Sequence, residues 1–217
     1  MRQRHTIIFL VLLGLQPGCL TEQPAPGNEQ NRVVVAIDQA PRSFDPRFTI
    51  DSTSIRISRL IFSSLVTVDN PALEPAAHIA EKIEEDSATP LIWHIWLKKG
   101  FTFHDGSPLD GRDIAYTYNS ILDPTLGSPY RGDFSSKFRK VEVDPSNPYH
   151  VLFHIKRPYA TFRTDLVLGI VPHTLGKLPG QKFPEGKVNG SGPYALDQVI
   201  PDRMVNLRRA AVNQGHP

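Results

Sequence analysis

Short alternating runs of apolar and polar residues set the pattern of this chain. Arg32-Val33-Val34-Val35-Ala36-Ile37 is continuous and β-branched, which predicts a strand buried on both faces and ending before Pro41. Ser43-Phe44-Asp45-Pro46 reads as a turn. Asp51 or Ser52 is placed to cap a helix over Ile55, Ser58, Arg59 and Phe62, with Ile57, Leu60 and Ile61 widening its apolar face. Leu65 to Val68 predicts a short strand closed by the turn Asp69-Asn70-Pro71. Pro75 through Ile83 suits one or two helical turns, with proline at the start where its missing donor costs nothing.

The segment Leu91 to Leu97, with Trp93 and Trp96, carries the clearest strand pattern. Lys98-Lys99-Gly100 turns it, Phe101-Thr102-Phe103 continues as strand, and His104-Asp105-Gly106-Ser107-Pro108 is a strong turn signal. A helix is expected from Asp110 or Gly111 through Ile114, Ala115, Tyr118, Ile121 and Leu122, stopped by Asp123-Pro124. Strands over 140–143 and 150–155 follow, separated by Asp144-Pro145-Ser146-Asn147-Pro148. Residues 159–170 read as helical, 176–190 lack periodicity, and 194–200 with 204–208 form a hairpin. The expected fold is mixed α/β without internal repeats.

Composition narrows the class. The 217 residues are 40% hydrophobic and 21% charged, as expected of a globular chain. The 20 prolines, about twice the usual share, favour short elements over long helical bundles. A net charge of +2 is far from the basic excess that nucleic-acid binding requires, so no nucleic-acid partner is expected. The single cysteine excludes an internal disulfide and a multi-cysteine zinc site.

The amino terminus points to export. Arg2 and Arg4 precede the apolar run Ile7 to Leu15, which at nine residues is about half of what a spanning helix needs. Residues 1–18 therefore read as a signal peptide. The run breaks at Gln16-Pro17-Gly18, just before the lone Cys19 and a polar, Pro/Gly-containing tether to residue 32. That order resembles a bacterial lipoprotein cleavage site, with Cys19 as the lipidated residue. Leu15, however, stands four places before the cysteine instead of three, and the alternative is a plain signal peptide with an incidental Cys19. Loss of Arg2 and Arg4 takes the 24 basic residues down to parity with the 22 acidic ones, a formally neutral mature chain.

Catalytic and metal readings find little support in the residues. His150 and His154 fall on a predicted strand, where four residues span roughly 13 Å, too far for both to hold one metal ion at about 2 Å. His104-Asp105 forms a potential proton-transfer pair, but the Asp-Gly step more simply makes a reversal. Gly190-Ser191-Gly192 lacks the glycine spacing of a nucleophile elbow, and no phosphate-binding or dinucleotide fingerprint occurs. No cofactor and no enzymatic activity are expected. Tyr130 follows the helix stop in a loop, open to two readings: the wall of a ligand cleft or a half-buried structural ring.

The run Trp96-Leu97-Lys98-Lys99-Gly100-Phe101-Thr102-Phe103-His104-Asp105-Gly106-Ser107-Pro108-Leu109, followed by Asp113-Ile114-Ala115-Tyr116-Thr117-Tyr118, resembles the signature of the family 5 extracellular solute-binding proteins, the capture subunits of bacterial ABC importers. Ser43-Phe44-Asp45-Pro46, residues 73–81, Asp123-Pro124 with Ser128-Pro129-Tyr130, and Gly190-Ser191-Gly192-Pro193-Tyr194 match in the same order. The resemblance implies a periplasmic binding protein-like fold of type II. Residues 33–50 and 185–217 would form an incomplete first lobe and 51–184 an inserted second, with the third lobe absent. The end of the chain, Ala210 to Pro217, departs from the family pattern, and a truncated or frameshifted product is expected. It further implies capture of a peptide or related solute outside the inner membrane, in the periplasm or at the cell surface, delivery to ABC permease subunits, and membrane attachment through Cys19. Asp51, Ser52 and Thr53 match a first-lobe loop bordering the cleft, and Tyr130 matches a second-lobe tyrosine reaching it. A standalone surface lipoprotein acting as an interaction module, or a non-functional gene fragment, is the alternative.

Overall fold

A computed structural model describes residues 33–68, 70–71, 74–184 and 186–210. The signal segment 1–18, Cys19 and its tether, and the last seven residues of the expected first lobe lie outside the described residues. The chain divides between Ala36 and Ile37, and every regular element described here lies after that point.

The first helix, α1 (Ser52–Ile61), begins where its sequence dictates. Asp51 caps it, its carboxylate accepting from the Ser54 amide at 2.8 Å and the Ser54 hydroxyl at 2.6 Å. Two short strands, β1 (Val66–Thr67) and β2 (Ala76–Ala77), pair antiparallel. β3 (Ala80–Glu85) and β4 (Ile92–Leu97) follow as an antiparallel pair. Helix α2 (Gly111–Leu122) opens with a reciprocal cap: the Arg112 amide donates to Asp110 at 2.8 Å and the Asp110 amide to Asp113 at 2.9 Å. It ends at Asp123, whose successor Pro124 cannot extend it. After a 3-10 turn over Pro124–Leu126 come α3 (Arg131–Lys137), β5 (Phe138–Asp144) and β6 (Asn147–Ile155).

The main sheet is antiparallel with spatial order β3-β4-β6-β5. Its inner face supplies Ile83, Ile95, Leu97, Phe138, Val141, Val151, Phe153 and Ile155 to a core closed by Ile114, Tyr118 and Ile121 of α2. Tyr118 is fully buried among Phe134, Phe138 and Phe153, with ring centroids 4.8–5.9 Å apart. Two of the three contacts meet edge to face, a geometry worth about 0.5–1.5 kcal/mol per pair beyond burial. Asn119 ties the same helix to β5, giving and taking hydrogen bonds with the Val141 backbone at 2.8 and 2.9 Å.

A second, smaller core joins α1 to the closing hairpin β7 (Tyr194–Ile200) and β8 (Met204–Arg209) through Ile57, Ile61, Phe62, Leu196, Val205 and Leu207. The approach is close. The Gly192 amide donates to the Ile61 carbonyl at 2.7 Å, and a Cβ on Gly190 would lie 2.0 Å from that same oxygen. Only glycine fits there.

Four expectations are corrected. Residues 33–37 form no strand, and Val33, Val34 and Val35 are exposed instead of buried on both faces. Residues 75–83 are not helical turns but β2 and the start of β3. Ala80 and Ile83 are both buried three residues apart, a helical spacing that arises here because a register shift between Ala80 and Lys82 interrupts the strand's two-residue alternation. Phe101–Phe103 contributes only an isolated bridge, Thr102 to Pro108. Within 159–170 the regular structure is a 3-10 helix, Phe162–Val167.

Candidate functional site

The Ser43-Phe44-Asp45-Pro46 turn buries an ion pair. Arg47 is fully buried, bonded to Asp45 at 2.7 and 3.0 Å, and also donates to Ser120, Tyr116 and the Gln181 carbonyl. Burial opposes its charge, but the hydrogen bonds and charge of Asp45 outweigh that and hold the guanidinium above its ordinary value. The backbone it anchors carries Thr49. Ser128 donates to the Arg47 carbonyl at 2.7 Å, and the Tyr130 hydroxyl donates to the Thr49 carbonyl. The loop before α3 is thereby fastened to the loop before α1.

Between these loops lies a cavity of about 310 Å³. Helix α1 presents Ile55, Ser58, Arg59 and Phe62 to it, a stripe at the spacing of one helical face. Thr49, Tyr130, Asp133 and Phe134 form another side, and Val66 to Val68, Thr164, Asp165 and Val167 to Gly169, with Pro46, Ser64 and His78, complete the lining. Its walls mix apolar side chains with polar and charged ones, Ser58, Arg59, Asp133 and Asp165 among them, and apolar surface with convergent polar groups is what a small-molecule site offers. At one margin Lys137 bridges Asp133 at 2.8 Å and Asp165 at 3.1 Å. Partial burial opposes the Lys137 charge, and the two carboxylates outweigh it, raising its affinity for the proton. Burial, followed by the charge of Asp165, pushes the neighbouring Tyr159 hydroxyl well up, so it stays protonated.

Tyr130 lines this cavity with its ring while its hydroxyl is engaged by Thr49. Asp51, Ser52 and Thr53 sit at the amino end of α1, next to the lining but not within it. The Asp51 carboxyl is held below the usual carboxylate range by the Ser54 hydroxyl and amide; Ser52 is exposed and Thr53 is buried. The sequence pattern places Ser58 and Arg59 with Ile55 and Phe62 on this helix but does not single them out as site residues; only the cavity shows that this stripe faces it.

Other residues singled out earlier have structural tasks. His104 Nε2 lies 2.9 Å from the Gly192 carbonyl, Asp105 receives the Ser107 amide at 2.9 Å, and Asn189 donates to Asp105 at 2.8 Å. The pair thus makes the reversal and joins it to the Gly190-Ser191-Gly192 segment. Burial lowers the His104 pKa, which favours the neutral ring. A shallower hollow of about 500 Å³ lies beside it. Ser191 is buried, with its hydroxyl 3.3 Å from the Ser63 amide. His154, on β6, lies beside Glu142 at 2.9 Å. Among the described residues no group of three or more His, Cys, Asp or Glu is arranged to hold a metal ion, and no helix is long and apolar enough to cross a membrane.

Residues 74–212 match the family model described as bacterial extracellular solute-binding proteins, family 5 middle. This chain belongs to that family. It is 29% identical over 184 residues to the oligopeptide-binding protein AppA of Bacillus subtilis, a match covering 81% of this chain and 33% of AppA. It is 26% identical over 201 residues to the periplasmic oligopeptide-binding protein OppA of Haemophilus influenzae, covering 84% of this chain and 37% of OppA. The solved structure of B. subtilis AppA in complex with a nonapeptide superposes with a TM-score of 0.69 at 26% identity, over 76% of this chain and 34% of AppA. NikZ of Campylobacter jejuni, solved with Ni(L-His), shares the fold with a TM-score of 0.71 at 20% identity, over 80% of this chain and 34% of NikZ. This family 5 chain spans about a third of the length of the relatives it matches. Its fold is accordingly that of a periplasmic binding protein, mixed α/β with small antiparallel sheets and short helices.

Proposed function

We propose that this chain serves as the substrate-binding lipoprotein of an ABC importer, capturing oligopeptides or a related solute outside the inner membrane and presenting them to the permease. Cys19 carries the lipid that holds it to the membrane after residues 1–18 are removed. Residues 33–50 with 185–217 form one lobe and 51–184 an inserted second. Solute lies along the amino end of α1, beside Asp51, Ser52 and Thr53, and against Tyr130. The observation that carries this reading is the cavity between α1 and Tyr130, in a chain of a solute-binding family whose relatives include proteins named for binding oligopeptides. A wall that mixes apolar and polar groups suits side chains of varied character, while peptide backbone is bound by main-chain pairing.

The test is calorimetric titration of the full chain with a mixed peptide library, in parallel with Tyr130→Ala. Micromolar binding is expected for the wild type, weakened about tenfold by the substitution, which is about 1.4 kcal/mol. Peptide silence in a folded chain would overturn the solute-binding role and favour an interaction module. Membrane association is read separately: Cys19→Ser should move the protein from the membrane to the soluble fraction.

A further inference from the structure

The outward face of the main sheet carries a row of side chains that solute capture does not use. Asp86 follows β3, His94 lies on β4, His150 on β6, and Asp144 ends β5, so the row crosses all four strands in their spatial order. His94 Nε2 is 3.0 Å from Asp86 Oδ2, His94 Nδ1 is 2.9 Å from His150 Nε2, and His150 Nδ1 is 2.8 Å from Asp144 Oδ2. The imidazole planes are tilted by only 18°, with centroids 5.1 Å apart, so the rings meet edge to edge. All four ring nitrogens are engaged. Flipping either ring would replace two of its nitrogens by carbons and break two of the three contacts, which settles the assignment.

Counting protons decides what the row holds. The Asp86 carboxyl lies below the usual range through its bond to His94 and then the Thr89 and Ala88 amides. The Asp144 carboxyl is brought down to about 2, first by the Ser146 hydroxyl and amide and then by His150. Ionised carboxylates only accept, so His94 Nε2 and His150 Nδ1 must each carry a proton. With those two alone, both rings are neutral and their remaining lone pairs face each other at 2.9 Å. One further proton between them converts that repulsion into a charge-assisted hydrogen bond. A metal ion does not fit the gap, because two near-collinear bonds of about 2 Å would need roughly 4 Å.

We infer that Asp86, His94, His150 and Asp144 form a proton-binding site that holds three protons on four ring nitrogens, the central one shared between the two imidazoles. A fourth proton would set N–H against N–H, so the site accepts one extra proton and refuses the next. The groups facing it agree with this. Lys82 and Glu84 on β3 pair at 2.7 Å, and Lys140 and Glu142 on β5 pair at 2.5 Å. These charges offset one another, and Asp86 and Asp144 remain to favour the shared proton. His154, next on β6, is turned to Glu142. The Trp96 ring stacks on His150 at 4.7 Å and 4°, with the Lys82 ammonium 4.9 Å from its centroid. Loss of the proton removes the middle link of a tie across four strands, which makes this sheet face responsive to pH.

The experiment is long-range proton–nitrogen NMR on the full chain with 15N-labelled histidine, followed from about pH 5 to about pH 9. His94 and His150 together should show three nitrogen-bound protons over a plateau around pH 7, with His94 Nε2 and His150 Nδ1 protonated throughout. Two protons in total at about pH 7, or uptake by both rings in a single step, would overturn the inference. Asp144→Asn should shrink the plateau from its alkaline side, and an unchanged plateau would remove Asp144 from the site. The wild-type count stands by itself if that variant does not fold.

Discussion

Asp45→Asn tests whether the buried pair beneath the cavity stabilises the fold. Asparagine keeps the side-chain volume and remains a good helix cap, so no cavity opens and the 3-10 turn Pro46–Phe48 keeps its start. What is lost is the negative charge beside Arg47, which is 0% exposed and has no water to turn to. Removing one partner of a buried ion pair costs about 3–5 kcal/mol. Arg47 keeps the Tyr116 and Ser120 hydroxyls and the Gln181 carbonyl at 2.6–3.3 Å, which argues for the lower end, about 3 kcal/mol. Against total stabilities of about 5–15 kcal/mol this is a large share. In thermal terms it amounts to roughly 6–12 °C, at about 2–4 °C per kcal/mol for a chain of this size. Urea unfolding followed by circular dichroism should show a lower midpoint at unchanged slope. Replacing both residues with apolar ones, Asp45→Leu with Arg47→Met, should recover part of the loss. A cost below about 1 kcal/mol for Asp45→Asn would refute the reasoning, because the charge on Arg47 would then be satisfied without Asp45.

Two further outcomes follow from the same contacts. Gly190→Ala should destabilise by about 1–3 kcal/mol or more, since its Cβ would meet the Ile61 carbonyl at 2.0 Å, whereas Gly132→Ala, with nothing within 4 Å, should be neutral or stabilising; equal urea midpoints would refute the close-approach account. Acid should destabilise the chain: Asp51 (Ser54 bonds), Asp110 (burial outweighed by Arg112) and Asp144 (about 2, Ser146 bonds) are ionised in the fold at pH values where the unfolded chain takes up protons. Their contribution is present above about pH 4 and is lost as pH falls toward 2, so the urea midpoint should drop between about pH 7 and pH 3.

Local chemistry made much of this fold legible in the sequence. The caps Asp51 and Asp110, the Asp123-Pro124 stop, the aromatic strand around Trp93 and the hairpin 194–209 all depend on neighbours within a few residues, and the ordered motifs around them sufficed to suggest the family. What depends on partners distant in sequence was not legible. Pro75 to Ile83 has helical spacing, and only pairing with β4 makes its second half a strand. Val33 to Val35 have strand composition and are exposed. Tyr130 in isolation allowed both a cleft wall and a structural ring. In the fold its ring lines the cavity while its hydroxyl fastens two loops, because Thr49, 81 residues away in sequence, supplies the acceptor. The contact between His94 and His150, 56 residues apart, has no sequence signal, since diagonal neighbours across a sheet are set by strand register. Local propensity acts through bonds between near neighbours and is written in the sequence; the cavity, the buried Arg47 and the histidine row exist only once tertiary packing brings remote residues within hydrogen-bond reach.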